Sequence, residues 1–275
     1  MTTEWTDADA AGTLRRPTAA DDKYSRGVLG IRTGSQRYPG AAVLGVEAAH
    51  RTGVGMVRYL GDDRPTSLVL ARRPETVTSD GRVQAWLIGS GTDADDRTPD
   101  EAEELRAVIE GDVPVVVDAG ALDLVPAGHR RAPIVVTPHD REHERLRAAA
   151  GLAAVGEDRA RGAAETARTL GVVVLLKGAR TVVATPSGRI LVVVAPTPWL
   201  ATAGTGDVLG GILGALVAAA APREVQELGP LAATAARVHG LAAARASAER
   251  EGGPITALDV AEAVASVVGS LLRPS

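Results

Sequence analysis

Short runs of valine, isoleucine and leucine recur along the first two thirds of the chain, with helical stretches between them. Strands inside a parallel sheet read as continuous apolar runs, because helices cover both of its faces. The alternation therefore predicts an α/β fold with a mostly parallel, doubly wound sheet. Predicted strands cover residues 27–33, 54–60, 67–71, 85–89, 113–118 and 133–137, and predicted helices cover residues 39–51, 99–110 and 157–170.

The pattern changes after residue 170. Three apolar runs, "GVVVLLKG", "TVVAT" and "RILVVV", follow one another across short turns that contain Gly, Pro or Ser, which predicts an antiparallel meander at the edge of the sheet. Three helices then follow with no strand between them, over residues 206–220, 228–249 and 256–272. Residues 1–22 are polar and aperiodic, so we expect a mobile or loosely docked arm before a single domain at 23–275.

Composition excludes several classes of function. The net charge is −4 and no Lys/Arg cluster is interleaved with aromatic residues, so nucleic acid is not an expected partner. The chain has no cysteine, which excludes disulfides, thiolate catalysis and Cys-ligated zinc. The N-terminus lacks the apolar segment of a secretory signal, and the apolar run at 208–221 is short and interrupted by glycines. We expect a cytoplasmic protein without a membrane partner.

Polar segments follow several predicted strands at their carboxyl ends, where open α/β sheets bind ligands. Residues 34–41 match neither the Walker A loop nor the dinucleotide fingerprint, and a tight strand-to-helix turn accounts for them. Asp118 ends a buried strand, where it would orient a metal or hydroxyl or cap the next turn. His139 follows another strand, with Glu142 in the first turn of a helix, and a ligand contact is favoured for His139.

Lys177 is one of only two lysines among 30 basic residues, and it closes a buried strand at a Gly turn. Lysine is rarely fully buried. Its ammonium group must therefore either reach solvent or meet an anion.

The stretch "AGTGD" at residues 203–207 opens an almost wholly apolar helix. Its backbone N–H groups lie at the positive end of the helix and form an anion site. A helix cap would need Thr205 or Asp207 but not the two flanking glycines. We expect Asp207 to be ionised at neutral pH and, beside a bound phosphate, to accept a proton from a hydroxyl that attacks phosphorus. Phosphoryl chemistry is therefore favoured over capping.

The sequence resembles the ribokinase-like superfamily, in which a Gly-Thr/Ser-Gly-Asp turn forms the anion hole and carries the catalytic base. Within it, the chain is most similar to the ADP-dependent NAD(P)H-hydrate dehydratases. The resemblance extends from Lys23 to the C-terminus and implies a three-layer αβα ribokinase-like fold. Its most specific segments lie at residues 34–57, 137–146, 175–190 and 198–216.

The resemblance implies ADP-dependent removal of water from (S)-NADHX or (S)-NADPHX, which restores NADH or NADPH and yields AMP and phosphate. Asp207 would be the catalytic base, Mg²⁺ would bridge the phosphates without a dedicated set of protein ligands, and a homo-oligomer is expected by analogy. The implied substrate contacts are Ala41, Gly91, His139 and Asp207, and the implied nucleotide contacts are Lys177, Gly178, Ala179, Arg180, Thr181, Gly204, Thr205 and Gly206.

The entry segment at residues 23–27 is "KYSRG" rather than the His-Lys-Gly of the family, and the chain departs from the family pattern at three places around the substrate pocket. Asp93 replaces a glycine near Gly91, Asp140 and Arg141 replace Pro-Gly after His139, and Gly120 stands where a second aspartate is expected. At this length we expect only the dehydratase part, without the epimerase domain fused to it in many relatives. Two alternatives stay open: an ATP-dependent kinase of a vitamin-precursor alcohol, and a non-catalytic nucleotide-binding relative.

Overall fold

Alternating strands and helices build the structure, a computed structural model that describes residues 2–125, 131–156 and 158–273. The strands are β1 (Thr2–Glu4), β2 (Val28–Arg32), β3 (Met56–Tyr59), β4 (Ala85–Ile88), β5 (Val115–Val117), β6 (Ile134–Val136), β7 (Val173–Leu176), β8 (Arg180–Ala184) and β9 (Ile190–Val194). The helices are α1 (Asp7–Thr13), α2 (Gly40–Thr52), α3 (Asp63–Arg72), α4 (Pro99–Ile109), α5 (Asp140–Ala149), α6 (Arg159–Leu170), α7 (Thr205–Ala220), α8 (Leu228–Ala248) and α9 (Ala257–Leu271).

The strands of the described residues form one sheet in the order β1-β9-β8-β7-β6-β5-β4-β2-β3. All neighbouring pairs are parallel except β7 with β8 and β8 with β9. The predicted mostly parallel sheet and its antiparallel meander are therefore confirmed. The meander does not form the outermost edge, however, because β1 pairs with β9 beyond it.

Helices cover both faces of the sheet, which gives the predicted three layers. On β5, Val116 packs into one hydrophobic core with α2, α7, α8 and α9, whereas Val115 and Val117 pack into a second core with α4, α5 and α6. Successive side chains of a strand point to opposite faces, so a strand covered on both sides must be apolar at every position. This explains why its sequence reads as an unbroken run of valine.

One predicted strand was wrong: residues 67–71 lie in α3. Of its residues, Pro65 and Val69 are buried, whereas Leu68 and Leu70 are exposed. Burial four residues apart is the spacing of a helix face, and a short apolar run does not distinguish a buried strand from such a helix. The helix predicted over residues 157–170 begins at Arg159, and Glu157 lies outside the described residues.

The expectation of a loosely docked arm was wrong for residues 2–13. Strand β1 adds to the sheet beside β9, and α1 follows it with Thr6 as its cap. The physical reason is Trp5, which is 7% exposed and whose Nε1 donates to Thr234 Oγ1 of α8 at 3.1 Å. Burial of this one indole ring is enough to hold the otherwise polar N-terminal segment against the domain. The boundary between an arm at 1–22 and a domain at 23–275 stays a prediction.

Helix α7 crosses α2 at very short range. A Cβ atom on Gly211 would lie 2.2 Å from the Gly45 carbonyl oxygen, so only glycine allows this approach. This close contact fixes the position of α7 relative to α2. Residues 204–207 lie at the N-terminus of α7. None of the helices in the described part of the chain combines the length and apolarity needed to cross a membrane.

Candidate active site

Asp118 is the centre of a polar network at the carboxyl ends of four adjacent strands. It directly follows β5 and is 3% exposed. Its Oδ2 accepts a hydrogen bond from Ser90 Oγ at 2.9 Å, and its Oδ1 accepts from Thr137 Oγ1 and Lys177 Nζ, both at 2.8 Å. Burial opposes ionisation, but the charge of Lys177 and these hydrogen bonds hold the pKa of Asp118 below its ordinary value. The carboxylate is therefore charged and held at both oxygens.

The Lys177 ammonium group pairs with carboxylates of the protein itself. The sequence had left open whether this group reaches solvent or meets an anion. Besides Asp118, its Nζ lies 3.7 Å from Glu142 Oε2. Burial opposes the charged form, but the charges of Asp118 and Glu142 hold the pKa of Lys177 above its ordinary value. A Cβ atom on Gly206 would lie 3.7 Å from the same nitrogen. A fixed positive charge thus stands beside the first turn of α7.

The turn at residues 204–207 opens α7 as predicted. Gly204 adopts a left-handed conformation with φ of 88°, and the first turn of α7 has no side-chain cap in the described part of the chain. Thr205 Oγ1 instead donates to the carbonyl oxygens of Leu200 and Thr202, both at 2.9 Å. The Thr205 N–H donates to the Thr202 carbonyl oxygen at 3.4 Å, which leaves the N–H groups of Gly206 and Asp207 to face an anion. Asp207 does not act as the cap.

Asp207 is not fully ionised at neutral pH, and the expectation of a simple carboxylate was wrong. Burial, together with the charge of Asp118, raises the pKa of Asp207 from its ordinary value of 3.8 to about 7, and the Lys177 ammonium opposes this rise. Near pH 7 the protonated and ionised forms therefore coexist. A carboxyl group with such a pKa suits proton transfer at neutral pH.

His139 caps α5. Its Nδ1 accepts from the Glu142 backbone N–H at 3.2 Å, and Glu142 Oε2 accepts from the His139 backbone N–H at 2.8 Å. The departure at Asp140 and Arg141 leaves this capping box intact, and Asp140 Oδ1 accepts from Arg159 Nε of α6 at 2.7 Å. The His139 side chain is 49% exposed, so the cap leaves much of the ring free, and its contact with substrate stays a prediction.

Ala41 and Gly91, two predicted substrate contacts, lie together. A Cβ atom on Gly91 would be 2.3 Å from Ala41 Cβ, and Gly91 has φ of 67°. The two loops are also joined by a hydrogen bond from the Gly34 N–H to the Ser90 carbonyl oxygen at 2.7 Å. Glycine is needed here both for its backbone conformation and for the close approach.

A cavity of about 340 Å³ lies between the loop after β7 and the head of α7. Much of its wall is apolar, and it includes Val193, Pro198 and Leu209. Of the predicted nucleotide contacts, Lys177, Gly178, Ala179, Thr181, Thr205 and Gly206 line it. Arg180 and Gly204 do not line this cavity, although they adjoin residues that do. The structure thus brings most of the predicted nucleotide residues around one space, and their roles stay predictions.

Several residues of the site were missed by sequence reasoning. Ser90 and Thr137 are the clearest, and their position at strand ends was the available signal, because β4, β5 and β6 are neighbours. His239 of α8 also lines the cavity, and burial lowers its pKa to about 4 against a hydrogen bond with the Thr205 backbone. Its Nε2 has no hydrogen-bond partner in the described part of the chain. No local pattern marks a histidine inside an apolar helix as a site residue.

The carboxylates that the structure describes at this edge of the sheet do not form a metal site. Among the described residues, no three or more His, Asp or Glu side chains cluster closely enough to hold a metal ion. Asp118 and Glu142 both lie against the Lys177 ammonium group, and Asp207 is a third carboxyl group nearby. The residues present therefore do not fit a dedicated Mg²⁺ site.

The chain is similar to known proteins along most of its length. A family model described as NAD(P)H-hydrate dehydratase matches residues 29–265. The bifunctional NAD(P)H-hydrate repair enzyme Nnr of Mycobacterium tuberculosis (strain ATCC 25618 / H37Rv) is 44% identical over 225 residues, covering 78% of this chain and 46% of that protein. The Corynebacterium glutamicum protein of the same name is 38% identical over 222 residues, covering 74% of this chain and 37% of its own. The chain thus spans about half the length of these relatives or less.

Solved structures are similar over the whole fold. An ADP/ATP-dependent NAD(P)H-hydrate dehydratase from Bacillus subtilis, co-crystallised with ATP/Mg²⁺, superimposes with a TM-score of 0.85 at 26% identity and covers 98% of both chains. A ribokinase-like superfamily protein from Enterococcus faecalis gives a TM-score of 0.84 at 20% identity, covering 99% of this chain and 97% of its own. The latter likeness concerns the fold alone, and it confirms the ribokinase-like architecture.

Proposed function

Since the chain belongs to the NAD(P)H-hydrate dehydratase family, we propose that it catalyses the ADP-dependent dehydration of (S)-NADHX or (S)-NADPHX. The products are NADH or NADPH, AMP and phosphate, so the reaction repairs a damaged nicotinamide nucleotide. The observation that carries this proposal is the position of Asp207. It stands in the first turn of α7 with a pKa raised to about 7, directly after Gly206. Gly206 lies against the Lys177 ammonium group and lines a cavity large enough for a nucleotide moiety.

The chemical difficulty is that hydroxide is a poor leaving group, whereas phosphate is a good one. In the first step the C6 hydroxyl oxygen of the substrate bonds to the β-phosphorus of ADP, and AMP leaves. Asp207 accepts the hydroxyl proton, for which its carboxylate form is required. Lys177 and the N–H groups at the head of α7 stabilise the negative charge on the transferred phosphoryl group.

In the second step the lone pair of the ring nitrogen N1 expels phosphate, so that the C6–O bond breaks. The expelled phosphate or water then takes the proton from C5, which restores the dihydropyridine ring, so the atoms balance as one phosphoryl transfer and one elimination. Ala41 and Gly91 would contact the nicotinamide half of the substrate from the loops after β2 and β4. His139 would contact it from the cap of α5, where half of its side chain is exposed.

The adenine nucleotide would occupy the cavity of about 340 Å³. Residues 177–181 and 204–206 would surround its phosphates and ribose, and the apolar wall suits the base. The Bacillus subtilis neighbour is ADP/ATP-dependent by name, and we propose ADP as the donor here. Mg²⁺ would arrive bound to the phosphates of the nucleotide, since the described residues do not fit a dedicated site for it. A homo-oligomeric state, a cytoplasmic location and the absence of nucleic-acid and membrane partners stay predictions.

The test is recovery of the absorbance of reduced nicotinamide from purified (S)-NADHX or (S)-NADPHX, with Mg²⁺ and with ADP, ATP or no nucleotide. We expect recovery that requires ADP. The Asp207→Asn variant should lose this activity, whereas Asp112→Asn, which makes the same chemical change at an exposed carboxylate 3.8 Å from Arg131, should retain it. Recovery with ATP alone would correct the donor. A folded protein that binds ADP but never restores the absorbance would favour the alcohol kinase or the non-catalytic relative.

A further inference from the structure

We propose that Asp118 is a positioning residue, whose buried carboxylate fixes the Lys177 ammonium beside the first turn of α7 and balances its charge next to Asp207. The inference rests on the proposed function, because it gives the Asp118–Lys177 pair a task in the same phosphoryl transfer. It assigns to Asp118 no contact with the substrate.

The geometry holds the carboxylate in one orientation. Ser90 follows β4, Thr137 follows β6 and Lys177 follows β7, so donors from three loops meet on the residue that follows β5. Both hydroxyl-bearing residues are 1% exposed, which removes water as a competing donor or acceptor. Satisfying both carboxylate oxygens from separate strands leaves Asp118 little freedom to rotate.

A fixed carboxylate restricts the position of a lysine ammonium group strongly, because the lysine side chain is flexible. Its ammonium sits on four flexible methylene groups and has no preferred direction of its own. Here Nζ is held at 2.8 Å from Asp118 Oδ1, and a Cβ atom on Gly206 would lie 3.7 Å from it. The ammonium is thereby placed at the anion-binding end of α7 before any phosphate arrives. Such preorganisation matters because charges fixed in advance need no rearrangement during the reaction.

The pair also acts electrostatically on Asp207. The charge of Asp118 raises the pKa of Asp207 and the charge of Lys177 lowers it, so the two charges act on Asp207 in opposite directions. Of the other groups near this point, Glu142 of α5 lies against Lys177, and His239 of α8 is neutral at pH 7 because burial lowers its pKa to about 4. A Cβ atom on Gly204 would lie 3.9 Å from Asp207 Oδ2, and one on Gly45 of α2 would lie 3.6 Å from the Asp207 carbonyl oxygen, so neither of these neighbours brings a charge to Asp207. Removal of one member of the pair should therefore leave an unbalanced charge beside the base.

The experiment is a double-mutant cycle, called here the charge cycle, that removes each charge separately in Asp118→Asn and Lys177→Met and both charges in the double variant. Asp112→Asn is the control. The pH at which Asp207 titrates is read from the carboxyl-carbon NMR signal of the ligand-free protein and from the acidic limb of kcat. We expect the titration to move to lower pH in Asp118→Asn, to higher pH in Lys177→Met and to return close to the native value in the double variant. Equal shifts in the same direction, or no shift in either single variant, would overturn the proposal.

Steady-state kinetics give a second readout. Asp118→Asn should lower kcat by about 10- to 100-fold through misplacement of the ammonium, without raising the KM for ADP, because Lys177 keeps its charge. Lys177→Met should raise the KM for ADP as well. A purely structural Asp118 would lower Tm but leave kcat per folded molecule unchanged, and that result would contradict the proposal.

A single variant leaves a buried charge without its partner and can fail to fold. Thr137→Val covers this case, because it removes one donor from the oxygen that Lys177 contacts and keeps both charges. We expect kcat to fall less than in Asp118→Asn, while the pH at which Asp207 titrates stays the same as in the native protein. A kcat equal to that of the native protein would overturn the positioning role. The NMR titration needs no turnover. A native protein without dehydratase activity that still shows the opposite shifts would therefore refute the proposed function while leaving the electrostatic balance in place.

Discussion

Replacing Asp207 by asparagine should abolish activity and at the same time stabilise the fold at alkaline pH. The pKa of Asp207 rises from 3.8 to about 7 in the folded protein, chiefly through burial. Folding therefore favours the protonated acid, and this contribution to stability is present below about pH 4 and is lost as pH rises towards about 7. Each pH unit in that window corresponds to about 1.4 kcal/mol, which gives an upper limit of about 4 kcal/mol. Screening by solvent reduces it, and we expect about 2–3 kcal/mol.

Asparagine resembles the protonated carboxyl group in size and polarity, so the variant lacks the cost of ionisation. The free energy of unfolding in urea is measured for native protein, Asp207→Asn and Asp112→Asn at pH 5 and pH 8.5. The advantage of Asp207→Asn over the native protein should be larger at the higher pH, while Asp112→Asn shows no such trend. Turnover should fall by about 10²-fold or more. A stability difference that is the same at both pH values would refute the raised pKa, and retained turnover would refute the role as base.

Further expectations concern pH, packing and the N-terminus. The kcat of the native enzyme should rise with pH through about 7, where Asp207 ionises, and a flat profile between pH 5 and pH 8 would contradict this. Gly91→Ala should raise the KM for the hydrated nucleotide and lower Tm, because its Cβ would lie 2.3 Å from Ala41 Cβ. Gly269→Ala, inside α9 and with nothing within 4 Å of its Cβ, should leave KM unchanged and should not lower Tm, because alanine favours a helix over glycine. Trp5→Ala should cost about 3 kcal/mol in urea unfolding, and a loss below about 1 kcal/mol would mean that residues 2–13 contribute little.

Much of the fold could be predicted from the sequence because its strands are buried on both faces. A run such as residues 115–117 leaves no polar position, and this composition is typical of a central parallel strand. The same reasoning failed at residues 67–71, where a helix at the rim of the sheet presents an apolar run with only one side buried. It also failed at the N-terminus, where one tryptophan fixes a polar segment to α8 through a contact 229 residues away. Short-range patterns carry no information about such a partner.

The candidate site shows the same limit at a finer scale. Part of its layout could be predicted, because a Gly-Thr-Gly-Asp turn before an apolar helix and polar residues after strands belong at one edge of a parallel sheet, although Ser90, Thr137 and His239 were missed. The protonation state of Asp207 could not be predicted from the sequence. Asp207 in a first helical turn reads as an ordinary carboxylate, and only burial together with Asp118 makes it a weak acid near neutral pH. For Asp118 the sequence leaves open whether it orients a metal or hydroxyl or caps a turn, and only the strand order places Ser90, Thr137 and Lys177 around it. The chemistry of the site is thus set by the distances between loops that are remote in sequence, and the charge cycle at Asp118 and Lys177 measures that dependence directly.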